Sequence, residues 1–226
     1  MSIGENISKI TSQLPEGVKL VAVSKYHPVE KLQEAYDAGQ RLFGENHAQE
    51  MVKKHPQLPP DIEWHMIGHL QTNKVRMIMP VVTLIESIDS VKLLKTVEKE
   101  AARIGRSVDV LLQLHVAQEE TKSGFSIEEL LNAATQGQLE GYDHVRITGV
   151  MAMATNTPDV KQVAHEFGMV RHTYDLLKKE FFTYPEFKDV SMGMSHDWRI
   201  AVEEGSTMIR LGTSIFGARD YSRIKN

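Results

Sequence analysis

Lys25 ends the run Val18-Lys-Leu-Val-Ala-Val-Ser-Lys25, just ahead of Tyr26-His27-Pro28. A lysine delivered to the end of a buried strand can be desolvated and held still, which is what a Schiff-base lysine needs. Taken alone, Lys25 is also one of 26 basic residues, and most lysines simply solvate a surface. At the other end of the chain, Met194-Ser195-His196 and Gly212-Thr213-Ser214 are rich in small hydroxylated residues and glycine. Backbone N–H groups approach a phosphate closely where no side chain intervenes. Singly, Gly212 and Gly217 read as turn glycines and Ser195 as a helix N-cap. Together the two segments favour a phosphate.

These residues need elements to position them. Val18, Leu20, Val21 and Val23 suit a strand covered on both faces. Pro28 suits the first turn of the following helix, where its missing N–H costs nothing. Residues 3–14 form an amphipathic helix ahead of this strand, with Ile3, Ile7, Ile10 and Leu14 at helical spacing. Further strands are expected at Arg41–Phe43, Ile62–Ile67, Thr83–Ile88, Val108–Val116, Arg146–Met151, Asp189–Met194 and Thr207–Leu211. Helices lie between them, one opened by Ser90 and another by a capping box of Ser126 with Glu129. Eight short strands alternating with helices in 226 residues predict one α/β domain over 1–226, a closed (β/α)8 TIM barrel with an extra N-terminal helix. A doubly wound dinucleotide-binding sheet is the alternative, but no G-x-G-x-x-G follows the first strand.

In such a barrel the active site lies at the C-terminal ends of the strands, and phosphate often sits after the last two. The polar residues at those ends are Lys25, Asn46, His65 or His69, Lys122, Ser195 and Thr213, with Arg210 inside the last strand. A strand-one lysine opposite a phosphate cradle suggests pyridoxal 5'-phosphate. Its aldehyde would sit on Lys25 and its phosphate on the last two loops. Arg210 would then face the pyridine nitrogen, whose partner is typically an Asp or an Arg. An ion pair in the barrel interior explains Arg210 equally well.

Seven blocks now carry a resemblance: Val23-Ser-Lys25, Phe43-Gly-Glu-Asn46, Trp64-His-x-Ile-Gly-x-Leu-Gln-x-x-Lys74, Lys122-x-Gly124, Gly149-Val-Met151, Ser191-Met-Gly-Met-Ser195 and Arg210-x-Gly-x-x-Ile-Phe-Gly217. In this order, from about residue 18 to Tyr221, the chain resembles the pyridoxal phosphate homeostasis protein family. The resemblance implies the barrel of the N-terminal domain of alanine racemase, with the cofactor held as an imine on Lys25. It further implies a phosphate cradle at Ser195, Gly212 and Thr213, and Arg210 facing the ring nitrogen. Asn46 and His65 fall in family motifs that line the pocket. His196 departs from the family, many members of which carry an acidic residue there.

The function expected from these readings is a carrier that binds pyridoxal phosphate, buffers it and passes it to apoenzymes, without strong turnover and so without catalytic residues. A racemase- or decarboxylase-like enzyme is the alternative. Racemisation by two bases needs a second proton donor opposite Lys25. In alanine racemase an added C-terminal domain supplies that donor, and only nine residues follow Gly217 here. A ring nitrogen held by arginine would also be a poor electron sink. Lys74 and Lys122 are secondary imine or transfer candidates behind Lys25. A metal-dependent hydrolase is disfavoured: His65 and His69 are four apart, but Gly68 lies between them and there is no H-E-x-x-H.

The methionine pairs Met151/Met153 and Met192/Met194 are expected to fill the core. The net charge of −4 gives no electrostatic case for nucleic acid or an anionic membrane. No signal peptide or membrane-length apolar run is present, so a cytoplasmic location is expected, and with no obvious coiled coil or exposed apolar stripe a monomer is expected. The absence of cysteine excludes disulfides, thiolate metal sites and cysteine nucleophiles.

Overall fold

A computed structural model describes residues 1–119 and 122–218; the end of the resemblance at Tyr221 lies outside the described residues. Within them, eight strands close into a parallel barrel in chain order. They are β1 (Lys19–Val23), β2 (Leu42–Glu45), β3 (Glu63–Met66), β4 (Leu84–Ile88), β5 (Val108–Leu114), β6 (Val145–Ala152), β7 (Asp189–Ser191) and β8 (Met208–Leu211). The helices are α1 (Ile3–Thr11), α2 (Val29–Asp37), α3 (Ala48–Lys54), α4 (Thr72–Ile78), α5 (Val91–Arg103), α6 (Ile127–Thr135), α7 (Val160–Glu180), α8 (Trp198–Glu203) and α9 (Thr213–Phe216). The barrel and its leading helix are therefore as expected.

Local chemistry explains most boundaries. Ser2 and Glu5 form a reciprocal capping box on α1, as Ser126 and Glu129 do on α6. The Ser90 hydroxyl accepts from Leu93 N–H at the start of α5. Gly39 leaves α2 at φ +97°, a conformation in which a Cβ is strained. Ile3, Ile7 and Ile10 bury one stripe of α1, and Asn6 Nδ2 donates to Ile215 O at 3.0 Å, tying the first helix to the last.

The structure corrects three local expectations. β1 stops at Val23, so Lys25 stands in the turn beyond it rather than within the strand. Pro28 occupies the N-cap of α2 instead of its first turn. Helix α3, which the polar stretch after Asn46 did not suggest, fills the β2–β3 connection.

Strand alternation builds the interior in two tiers. Leu20 and Ala22 of β1 join the outer core against the helices, while Val21 joins an inner cluster with Leu84, Leu111, Met151 and Met208. That cluster plugs the barrel. Above it, the same inward faces carry polar residues: His65 beside Trp64 and Met66 on β3, Glu86 on β4, Ser191 on β7 and Arg210 on β8. Register places Arg210 opposite Val21, which leaves Lys25 and the β8 exit loop at the same mouth.

Candidate functional site

A cavity of about 520 Å³ opens at the C-terminal ends of the strands. Lys25, Asn46, Ser195, Arg210, Gly212 and Thr213 all line it, so residues from the first, second, seventh and eighth strand exits meet at one mouth. His69, Gln113, Lys122, Ser123, Asn156 and His196 complete its polar lining. Met153 and Met194 also line it, which corrects their expected place in the core; Met151 and Met192 are buried as expected. A larger cavity of about 940 Å³ lies at the opposite end, bounded by Arg106, Asp109, Arg146 and Tyr184. Its cations are engaged: Arg146 makes a bidentate pair with Asp109 at 2.8 and 2.9 Å, and Arg106 donates to the Met79 and Val82 carbonyls. That end of a barrel serves stability.

His65 is the expected site residue that the cavity does not reach. It is buried beneath the floor, and its Nδ1 stands 2.7 Å from Glu86 Oε1. Ser191 Oγ donates to Glu86 Oε2 at 2.6 Å, and Arg210 Nη1 donates to Ser191 Oγ at 2.6 Å. A second Arg210 nitrogen reaches Ala152 O at 2.8 Å. His65, Glu86, Ser191 and Arg210 thus form one hydrogen-bonded ladder across the barrel.

Burial by itself raises the Glu86 pKa. The His65 hydrogen bond and charge, the Arg210 charge and the Ser191 hydroxyl outweigh it, and the carboxyl lies below its ordinary value. Burial likewise pulls Arg210 down, against the charges of Glu86 and Asp197. A guanidinium stays protonated regardless. The ladder presents a fixed cation to the cavity floor.

The Lys25 turn is held from below. Ser24 Oγ donates to Glu45 Oε1 at 2.7 Å, and Tyr26 adopts φ +65°, an uncommon conformation for a residue with a side chain. Burial raises the Glu45 pKa, against the charge and hydrogen bond of Lys54. Burial pushes Glu50 the same way, but Lys54, the Tyr26 N–H and His47 together bring it below its ordinary value.

On the rim, Lys122 Nζ donates to Glu119 Oε1 at 2.9 Å and to Ala154 O at 2.7 Å, so its ammonium is anchored as a wall of the cavity. Glu119 falls to about 2, first through the Asn156 N–H it accepts and then through Lys122. Lys74 lies on α4, outside the lining. His69 Nδ1 sits 2.9 Å from Asp89 Oδ2 and 3.1 Å from Ser123 Oγ, and His196 Nε2 sits 3.2 Å from Asp197 Oδ2. Among the described residues, no group of three or more His, Cys, Asp or Glu side chains is placed to hold a metal ion.

The sequence reading missed Glu86, Ser191 and the Lys54 group. A signal existed for the first, because Glu86 interrupts the apolar strand Leu84-Ile-Glu-Ser-Ile88 and a charge there demands a buried partner.

The donor set fits a phosphorylated aromatic aldehyde. Lys25 brings a primary amine, Ser195 and Thr213 bring hydroxyls, and Arg210 brings a cation suited to a ring-nitrogen acceptor. Gly212 matters by its bareness: a Cβ there would stand 3.2 Å from Val23 O, filling the cradle between the first and last strands.

A family model described as the N-terminal domain of alanine racemase matches residues 1–220. The chain is 39% identical over 236 residues to a pyridoxal phosphate homeostasis protein of Vibrio alginolyticus, covering 98% of this chain and 99% of that protein. It is 36% identical over 214 residues to the protein of the same name from Escherichia coli K12, covering 92% and 89%. Among solved structures, PipY of Synechococcus elongatus with pyridoxal phosphate bound superposes with a TM-score of 0.87 at 36% identity, covering 96% of this chain and all of that one. Alanine racemase from E. faecalis shares the fold alone, with a TM-score of 0.73 at 19% identity over 57% of its length.

Proposed function

Because the chain belongs to the pyridoxal phosphate homeostasis protein family, within the wider family of alanine racemase N-terminal domains, we propose that it binds pyridoxal 5'-phosphate, buffers it and passes it on. The observation that carries this reading is the single mouth at which Lys25, Arg210 and the Ser195, Gly212 and Thr213 cradle meet. When bound, the cofactor supplies an aldehyde that a primary amine can capture reversibly. Lys25 would supply that amine and would hold the cofactor through its aldehyde in a linkage that water can undo. Ser195, Thr213 and the backbone at Gly212 hold the phosphate, and Asn46 forms the neighbouring wall. His65 acts from beneath, through Glu86 and Ser191, to fix Arg210.

Arg210 supports carriage rather than strong turnover. A permanently charged guanidinium facing the ring nitrogen disfavours protonation there, and so weakens the stabilisation of a carbanion. Recipients of the cofactor would be apoenzymes that require it. Exposed large apolar side chains among the described residues are scattered, at Met1, Met77, Ile104 and Val160, which supports a monomer. Among the described residues no helix is long and apolar enough to cross a membrane, and with a cysteine-free chain this is compatible with work in the cytoplasm.

The test is an absorption spectrum of the purified protein before and after borohydride, with peptide mapping. A long-wavelength band trapped as a pyridoxyl group on Lys25 is expected, and its loss in Lys25→Ala. A colourless protein that cannot be reconstituted overturns the reading. Sustained turnover of amino acids by a contaminant-free preparation overturns the carrier in favour of the enzyme.

A further inference from the structure

Two peptide planes flank the Cα of Lys25, and one pair of side chains holds both. Lys54 Nζ donates to Ser24 O at 2.9 Å, the carbonyl on the N-terminal side. Glu50 Oε2 accepts from Tyr26 N–H at 2.8 Å, the amide on the C-terminal side. The same Glu50 oxygen accepts from Lys54 Nζ at 2.8 Å, which closes the circuit. Lys54 also donates to Glu45 Oε1 at 2.7 Å, and Ser24 Oγ donates to that same oxygen.

Lys54 is itself buried, at 7% exposure, and lies with Glu50 on α3 at i, i+4 spacing. A buried ammonium is costly unless its partners are well placed. Here one of those partners is the carbonyl on the N-terminal side of Lys25, and another, Glu50, holds the amide on its C-terminal side. The arrangement also accounts for Tyr26. Its left-handed φ of +65° needs a surrounding that over-determines it, and the Glu50 hydrogen bond to its amide provides one.

We infer that Lys54 and Glu50 are positioning residues that set the backbone of Lys25, and with it the direction in which its amine enters the cavity. The inference rests on the reading of Lys25 as the amine that captures the cofactor. Capture by a held amine depends on orientation, and a displacement of about 1 Å can cost as much as about a hundredfold in rate. Loops hold such geometry less well than helices or strands do. The clamp gives the Lys25 turn the rigidity of α3. Neither residue touches the cavity, so neither is catalytic.

Glu50→Ala is the informative variant, because the side chain is 25% exposed and the Lys54–Glu45 pair survives. Amide hydrogen exchange at Tyr26 in the cofactor-free protein reads the clamp directly. The rate at which added pyridoxal phosphate condenses on Lys25, with the adduct mapped after borohydride, reads its consequence. Glu50→Ala is expected to speed Tyr26 exchange and to slow condensation, each by about tenfold, the scale of one lost hydrogen bond to a charged group. Glu50→Gln keeps a carbonyl acceptor for Tyr26 and is expected to recover most of both.

Three results overturn the inference. One is a folded Glu50→Ala whose exchange and condensation rates match wild type. Another is a Glu50→Gln as slow as Glu50→Ala. The third is a change in melting temperature alone, the mark of a purely structural ion pair. In these three cases the wild type still forms its Lys25 adduct and the reading of the site stands. A wild type that forms no Lys25 adduct sinks that reading and the inference together.

Discussion

Arg210 reaches Glu86 through a hydroxyl: Ser191 Oγ lies 2.6 Å from both Arg210 Nη1 and Glu86 Oε2, while the direct guanidinium–carboxylate separation is 3.7 Å. The hydroxyl donates to the carboxylate and accepts from the guanidinium, so each charge keeps a partner without close contact. His65 holds the other Glu86 oxygen. The inward faces of β3, β4, β7 and β8 thereby fix the Arg210 cation at the floor of the cavity.

Ser191→Ala removes the hydroxyl and leaves two buried charged groups each short of a partner. Its expected cost is about 1–3 kcal/mol, the penalty of an unsatisfied buried polar group. Glu86→Ala also strands His65 and Arg210 and should cost about 3–5 kcal/mol. Urea unfolding at pH 7 measures both, as lower midpoints at unchanged slope. Equal midpoints for Ser191→Ala and wild type would show that Arg210 and Glu86 close directly on each other.

Carboxyls with depressed pKa values, Glu119 and Glu86 among them, set the acid limb of stability. Glu119 falls to about 2 and Glu86 also lies below its ordinary value. A group with a depressed folded pKa contributes stability above its unfolded pKa and loses it as pH falls through the folded one. The Glu119 contribution is therefore full above the ordinary carboxylate value of 4.5 and vanishes towards pH 2, while that of Glu86 is likewise lost as pH falls below the ordinary value. Glu45 runs the other way. Its raised pKa favours the folded state at low pH, and that advantage is lost as pH rises through the folded value. Glu119→Gln should lower the melting temperature at pH 7 and leave it unchanged near pH 2. A parallel loss at both would assign the effect to packing.

The fold was legible because strand and helix periods alternate along the whole chain, and because glycines, Ser90 and the Ser126–Glu129 box mark the boundaries. The mouth was legible too, since Lys25 and the two hydroxyl-bearing loops sit just past strands of plain apolar pattern. His65 was misplaced for a reason of parity. It lies between Trp64 and Met66, which both face the outer core, so it must face the barrel interior, where it meets Glu86. Sequence spacing put it near the strand's end without telling floor from wall. The Lys54 clamp was hidden differently: its three carboxylate and carbonyl partners come from the segment just after β1, from β2 and from α3, and α3 itself had no clear apolar stripe.

Ser195 and Thr213 should act on the phosphate alone. Ser195→Ala and Thr213→Ala each remove one hydrogen bond to a charged group, worth about 1.5–3 kcal/mol. At 1.4 kcal/mol per factor of ten, the expected weakening is at least about tenfold for each. Pyridoxal, which lacks the phosphate, should bind both variants as it binds wild type. Titration of pyridoxal phosphate and pyridoxal side by side, followed by absorbance, checks this. An equal loss for the two ligands would move the phosphate elsewhere in the cavity.

Gly68 ties the exit of β3 to Asn46, and a Cβ at Gly68 would stand 2.7 Å from Asn46 Cα while overlapping the Asn46 carbonyl oxygen. Backbone cannot yield as a flexible side-chain end can, so Gly68→Ala must push Asn46 and the adjoining cavity wall. Overpacking of this kind costs about 1–3 kcal/mol. Gly137→Ala offers the control: that glycine has φ +66° with open space around it. Its cost is backbone strain of about 1–2 kcal/mol, far from the mouth. The two variants should therefore lose comparable stability in urea. Only Gly68→Ala should also weaken pyridoxal phosphate binding, because only there is the strain transmitted to a residue lining the cavity. If Gly68→Ala binds the cofactor as tightly as Gly137→Ala does, then Asn46 is a wall without a role in holding the ligand.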